Sequence, residues 1–182
     1  MFTGIQITEL NGKYIDQEKW YVLYTRPNFE KIIDKRLKEL GFHSYLPLKK
    51  ELRFWNQKKV WIEIPLFRSY VFIKTSLKKK DRVFSLSGIL NYVSFGNQLG
   101  TLNEDEINRI KKICQFNGEI KIEFEKPEVG KRVEICEGPL KGLMGFLSVT
   151  NGKRKIRIRI EKLNCFASII MDFDSVLLKY AS

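Results

Sequence analysis

Apolar positions recur with two different periods along this chain, and the change falls near residue 119. Trp20-Tyr21-Val22-Leu23-Tyr24 is an unbroken aromatic and aliphatic run, the pattern of a buried strand. Thr25-Arg26-Pro27-Asn28 turns the chain. Phe29, Ile32, Ile33, Leu37 and Leu40 then recur at helical spacing, with Gly41 as the stop. Phe42 to Leu46 predicts a second strand, ended by Pro47. Leu52 to Trp55 and Val60 to Ile64 flank the polar Asn56-Gln57-Lys58-Lys59, which predicts a hairpin. Tyr70-Val71-Phe72-Ile73 reads as another buried strand, residues 79–86 as a short helix, and Tyr92 to Phe95 as a strand. Asn103, followed three residues later by Glu106, resembles a capping box. The helix it opens carries Ile107, Ile110 and Cys114 on one face. The order β-α-β-β-β-α-β-α over residues 19–118 predicts an α+β sandwich with a mostly antiparallel sheet. Residues 1–18 show no period and read as an arm.

From Glu119 to Lys126 the chain is charged and alternating, and Pro127 follows, so this stretch reads as a linker. Beyond it, over residues 127–182, the helical period is gone. Arg132 to Cys136 predicts a strand, Gly138-Pro139-Leu140-Lys141-Gly142 a tight turn, and Leu143 to Thr150 a second strand. Asn151-Gly152 is a strong hairpin signal. Lys155 to Glu161 then alternates strictly, with Ile156, Ile158 and Ile160 on one side and the charged residues on the other. Ser168 to Phe173 and Val176 to Leu178 complete five short strands, the pattern of a small closed β-barrel.

Composition narrows what such a chain does. The 182 residues carry 33 Lys and Arg against 21 Asp and Glu, a net charge of +12 that suits a polyanionic partner. Residues 1–118 hold 21 basic and 12 acidic residues (+9), and residues 119–182 hold 12 and 9 (+3), so the excess is N-terminal. Cys114, Cys136 and Cys165 lie far apart without a CxxC, and His43 is the one histidine, so neither a disulfide framework nor a zinc site is expected. No cofactor, metal or catalytic residue is expected: there is no P-loop, no GxGxxG after a strand and no nucleophile elbow. With no apolar run approaching the ~18 residues of a membrane span and no basic-then-apolar start, the chain is expected to be soluble, cytoplasmic and monomeric.

Aromatics are dense from Phe54 to Phe72, with Trp55, Trp61, Phe67 and Tyr70 between. A small two-layer sandwich cannot bury them all, so some are expected to line an exposed apolar groove. An amphipathic helical element is a natural ligand for such a groove. The runs Lys78-Lys79-Lys80-Asp81-Arg82 and Lys153 to Arg159 admit both a solvated-face reading and a contact reading.

These residues resemble the NusG-like transcription elongation family. Trp20 to Tyr24, then Phe67-x-x-Tyr70-Val71-Phe72-Ile73, are similar to the first strand and the "FPGYV" strand of its N-terminal NGN domain. Gly138-Pro139-Leu140-Lys141-Gly142-Leu143-Met144-Gly145 resembles the KOW motif, with Gly138, Pro139, Gly142 and Gly145 at its turn. The resemblance spans residues 19–179 and implies a ferredoxin-like NGN sandwich followed by an SH3-like KOW barrel. Arg68-Ser69 stands where the housekeeping pattern has Pro-Gly, and Leu163 to Ile170 replaces the usual final segment. Both departures resemble specialised paralogs, RfaH and above all the UpxY antiterminators of capsular polysaccharide operons.

The resemblance implies a non-enzymatic regulator whose N-terminal domain grips the clamp helices of RNA polymerase and suppresses pausing and termination. It implies a groove formed by Tyr24, Leu66, Phe67 and Tyr70, and a second polymerase contact near Lys79 and Lys80. It also implies a contact of Arg26, Lys31 and Lys35 with non-template DNA. The partner of the KOW domain is left open. The strand signals of the C-terminal part predict a stable barrel that does not refold to mask the groove. A ribosome-associated or RNA-binding KOW protein is the alternative; it would leave the aromatic groove without a purpose.

Overall fold

The computed structural model describes residues 9–10, 13–14, 17–56, 58–95, 98–124, 130–150, 153–171 and 178–180. Within the expected arm, β1 (Glu9–Leu10) and β2 (Lys13–Tyr14) pair antiparallel. Then follow β3 (Lys19–Thr25), α1 (Glu30–Glu39), β4 (His43–Tyr45), the hairpin strands β5 (Leu48–Trp55) and β6 (Lys58–Pro65), and β7 (Tyr70–Thr75). A 3-10 turn at Leu77–Lys79 leads into α2 (Lys80–Phe84). The short strands β8 (Ile89–Tyr92), β9 (Ser94–Phe95), β10 (Gln98–Leu99) and β11 (Thr101–Leu102) come next, and then α3 (Glu104–Cys114). The C-terminal strands are β12 (Ile120–Glu123), β13 (Lys131–Ile135), β14 (Met144–Thr150), β15 (Lys153–Ile160), β16 (Cys165–Met171) and β17 (Leu178–Tyr180). The expected Asn151-Gly152 turn lies outside the described residues.

The N-terminal sheet runs β11-β3-β7-β4, with β8 also on β3. Its centre is the antiparallel pair β3 and β7, in register from Lys19 opposite Thr75 to Tyr24 opposite Tyr70. Successive side chains of a strand point to opposite faces, and both faces of this pair are apolar. Tyr21, Leu23, Val71 and Ile73 face α1 and α2, packing with Ile33, Leu37 and Val83. Trp20, Val22 and Phe72 face the other way, toward Ile107, Ile110 and Ile113 of α3.

Helix α3 starts where the capping box predicts. Asn103 Oδ1 accepts from the Glu106 backbone N–H at 2.8 Å, and Glu106 Oε2 accepts from the Asn103 N–H at 3.0 Å. Its first residue, Glu104, takes the Trp20 indole N–H at 3.0 Å and the Lys74 ammonium at 2.6 Å, so the helix start is fastened to both central strands. The lone histidine is a packing residue, with its ring 4.9 Å from Trp20 edge-on.

The C-terminal unit is a six-stranded antiparallel sheet in the order β12-β16-β15-β14-β13-β17. Its extra strand, β12, comes from the stretch expected to be a linker. The alternation of that stretch is strand periodicity: Ile120 is buried against the sheet's own core, and Lys121 faces out. Glu123 fastens the strand's end, accepting from Lys155 Nζ at 2.5 Å, Ser168 Oγ at 2.6 Å and Arg157 Nε at 3.2 Å. Residues 120–123 are therefore structural rather than a tether. Among the described residues no helix is long and apolar enough to cross a membrane.

Burial alone would raise the Glu123 carboxyl, but the hydrogen bonds from Lys155 and Ser168, and the charges of Lys155 and Arg157, hold it below its usual value of 4.5. A carboxyl depressed by folding adds stability above its unfolded pKa, and that stability is lost as pH falls through the folded one. Glu123→Gln is expected to lower the thermal midpoint at neutral pH. It is also expected to reduce the further loss seen between about pH 5 and about pH 3. A midpoint with the wild-type pH dependence would show that the cluster contributes nothing.

Candidate functional site

The loop from Leu66 to Ser69 joins the hairpin to the central strand β7, and it is held by its backbone. The Leu66 N–H donates to Pro47 O at 2.8 Å, and the Thr25 N–H donates to Ser69 O at 2.8 Å. Ser69 has φ 62, the left-handed region that favours glycine. Its own N–H donates at 2.6 Å to Oε1 of Glu30, a carboxylate buried at the start of α1. Ser69, at the position where the resemblance has glycine, thus takes a left-handed conformation, and a buried acceptor secures it. Glu30 was missed in the sequence, where it reads as an ordinary acidic residue of a first helical turn.

This loop and the β3–β7 register bring together all four expected groove residues. Tyr24 and Tyr70 lie opposite each other, with ring centroids 6.0 Å apart and edge-on. Phe67 meets Phe72 edge-on at 5.8 Å. Tyr24 and Tyr70 share the strand face of Trp20, Val22 and Phe72, and Leu66 and Phe67 join the same cluster from the loop.

The groove is not open, however. Leu66 and Phe67 are buried, Phe67 to 3% exposure, in one apolar cluster. That cluster runs from Trp20, Val22 and Phe72 to Ile135, Leu140, Leu143 and Leu163 of the C-terminal sheet. Burial, then the neighbouring Cys165, then Tyr24 raise the Tyr70 hydroxyl above its usual pKa. Cys165 is itself pushed up to about 12 by burial. Two lysines brace the junction: Lys112 Nζ donates to Lys141 O at 3.1 Å and Lys49 Nζ to Ile120 O at 2.8 Å. The expectation of an uncovered groove is corrected. Leu66 and Phe67 are buried in a cluster shared with the C-terminal sheet, which keeps its strands, whereas Tyr70 is half-buried and Tyr24 is 39% exposed.

The turn expected at the KOW motif is what reaches across. Gly138 (φ 72) and Gly142 (φ 82) both take left-handed conformations. Gly142 N–H donates to Ile135 O at 2.7 Å, so the loop carrying Pro139 folds back and buries Leu140. Gly145 allows β14 to approach β15: a Cβ there would lie 2.6 Å from Ile156 Cγ2 and 3.0 Å from Arg157 O.

The basic residues fall elsewhere. Lys31 and Lys35 stand exposed on α1, where Lys31 Nζ donates to Glu63 O at 2.6 Å and Lys35 lies 3.8 Å from Glu39. Arg26 precedes the same helix, its N–H bonded to Gly88 O. Lys79 and Lys80 follow the opposite end of β7 from Tyr70, roughly 15–20 Å away at ~3.3 Å per residue. Lys79 pairs with Glu18 at 2.8 Å, and Lys80 lies over Phe84. The aromatic cluster read as one feature is two. Phe67, Tyr70 and Phe72 join the groove, whereas Phe54, Trp55 and Trp61 stand out on the hairpin.

The family model described as "NusG: Transcription termination factor nusG" matches residues 18–111, just over half of the chain. The chain belongs to the NusG family. Two relatives named "Transcription termination/antitermination protein NusG" extend the likeness across both parts of this NusG-family chain. The one from Rickettsia typhi (strain ATCC VR-144 / Wilmington) is 22% identical over 171 residues, covering 87% of this chain and 89% of the relative. The one from Rickettsia prowazekii (strain Madrid E) is 20% identical with the same coverage. The solved structure "Domain interaction in Thermotoga maritima NusG" matches with a TM-score of 0.51 at 18% identity, covering 88% of this chain and 96% of that one, and so shares the fold.

In this NusG-family chain the Ser69–Glu30 link has a measurable consequence. Glu30→Ala leaves the buried Ser69 N–H without its acceptor and is expected to destabilise by about 1–3 kcal/mol. Ser69→Gly relieves a left-handed strain of about 1 kcal/mol, offset in part by glycine's larger unfolded-state entropy, and is expected to be neutral or mildly stabilising. Denaturant unfolding of both variants checks this; a strongly destabilised Ser69→Gly would refute it.

Proposed function

We propose that this protein is a cytoplasmic transcription elongation regulator. In this reading it binds RNA polymerase through Tyr24, Leu66, Phe67 and Tyr70 and suppresses pausing and termination. The observation that carries the reading is the half-face of the sheet around Tyr24 and Tyr70. The cluster that buries Leu66 and Phe67 draws on a C-terminal sheet whose strands pair only with one another among the described residues. An apolar surface of this kind suits a helical partner such as the polymerase clamp helices. Family membership and the +9 charge of residues 1–118 support the same reading.

The cover adds a condition. Polymerase and the C-terminal sheet compete for one surface, so binding selects the open arrangement from a population dominated by the closed one. Arg26, Lys31 and Lys35 supply a basic face for non-template DNA, and Lys79 and Lys80 a second polymerase contact at the far end of β7. Arg68-Ser69 and the Leu163 to Ile170 segment support a specialised UpxY-like paralog serving long operons such as capsular polysaccharide clusters. Once displaced, the C-terminal sheet is available for a protein partner of its own.

Residues 1–118 are expected to bind polymerase more tightly than the full chain, by roughly tenfold or more if the closed form dominates. They are also expected to retain antipausing activity in a purified transcription system. Circular dichroism establishes that the fragment is folded. A folded fragment that binds no better than the full chain contradicts the cover. A full chain that co-purifies with ribosomal particles and not with polymerase contradicts the whole reading.

A further inference from the structure

The hairpin β5–β6 is an arm of eight residues per strand, about 26 Å long at ~3.3 Å per residue. An isolated two-stranded hairpin is marginal in water, and among the described residues the hydrogen bonds that brace this one to the rest of the chain lie in its proximal half. Lys31 donates to Glu63 O and Lys49 to Ile120 O, both in its proximal half. The distal half carries large rings in solvent: Phe54 is 70% exposed, Trp55 74% and Trp61 66%. The register places Leu52 opposite Trp61 and Phe54 opposite Lys59, so Phe54, Trp61 and Lys59 share one face as direct and diagonal neighbours. Trp55 lies opposite Lys58 on the other face, beside Arg53. From Leu52 to Trp61 there are three basic residues and no acidic one. Lys59 Nζ sits 5.9 Å from the Phe54 ring centroid, which keeps a cation beside an exposed π-face.

We propose that the tip of this hairpin is a binding site for single-stranded nucleic acid, with Phe54 and Trp61 stacking on unpaired bases and Lys58 and Lys59 holding the phosphates. Arg53 Nε already donates to Glu51 Oε1 at 2.9 Å, and exposed rings beside Lys58 and Lys59 fit a ligand that offers π-faces and negative charge together, which single strands do and duplexes, with their bases stacked inside, do not. The site is distinct from the Tyr24–Tyr70 groove and does not depend on the polymerase reading. Lys31 of α1 bonds the proximal half of the same hairpin, at Glu63 O.

The test uses the full chain and a labelled single-stranded oligothymidylate, with a mixed-sequence duplex of the same length as control, at low salt. Binding to the single strand is expected to be tighter than to the duplex and to quench tryptophan emission. The double variant Phe54→Ala/Trp61→Ala is expected to lose roughly fivefold or more in affinity per ring, whereas Trp61→Phe keeps most of it. Lys58→Ala/Lys59→Ala is expected to reduce the slope of log affinity against log salt by about 1.4, from ~0.7 per phosphate contact. Both pairs are solvent-exposed, and an unchanged thermal midpoint confirms that the variants fold. Equal affinity for single strand and duplex, or wild-type affinity in the double aromatic variant, overturns the proposal. So does a double variant that loses polymerase binding while its oligothymidylate affinity stays intact, which would make the tip a protein contact.

Discussion

A sheet that is apolar on both faces must be covered on both, and the β3–β7 pair imposes that requirement on the whole molecule. One face, bearing Tyr21, Leu23, Val71 and Ile73, receives α1 and α2. The opposite face, bearing Trp20, Val22 and Phe72, receives α3 and shares its cluster with the loop residues Leu66 and Phe67 and with residues of the C-terminal sheet. At about 25 cal/mol per Å2, exposing an apolar patch of that kind is unfavourable. The C-terminal sheet relieves it, bringing Leu140 and Leu163 into the same cluster. Under the proposed function, cover and binding site are one surface, and the apolar area that holds the parts together is the area a partner would use.

The backbone of this surface is fixed by local contacts. Tyr24 and Tyr70 are set by strand register, and Leu66 and Phe67 by a loop whose Ser69 takes a left-handed conformation and bonds to the buried Glu30 carboxylate. A preformed surface loses less conformational freedom on binding than a mobile one. The C-terminal cover is similarly built: the glycine turn at 138–142 places Leu140, and the Glu123 cluster seals the first strand to the sheet.

Much of this was legible in the sequence, for local reasons. The capping box at Asn103, the α1 period and the alternation of Ile156, Ile158 and Ile160 each declare a structure through neighbours in the chain. Grouping Tyr24, Leu66, Phe67 and Tyr70 rested on resemblance, and the β3–β7 register brings them together. The sequence could not reveal the cover, since Leu140 and Phe67 are apolar in any arrangement and nothing local says which apolar residues from distant segments meet. Glu119 to Lys126 misled because its charges outweighed the two isoleucines at strand spacing. The aromatic run from Phe54 to Phe72 misled by proximity, since a chain reversal at Asn56 separates a solvent-exposed tip from a packed core.

In the proposed function, polymerase and the C-terminal sheet exchange places on the Leu66–Tyr70 surface. Hydrogen–deuterium exchange of the full chain, with and without RNA polymerase, reads this directly. Peptides spanning residues 66–72 are expected to stay protected in both states. Peptides across the Leu140 turn and the start of β16 should lose protection when polymerase is added. Unchanged protection of the Leu140 turn in the polymerase complex, with new protection appearing elsewhere on the chain, would contradict it.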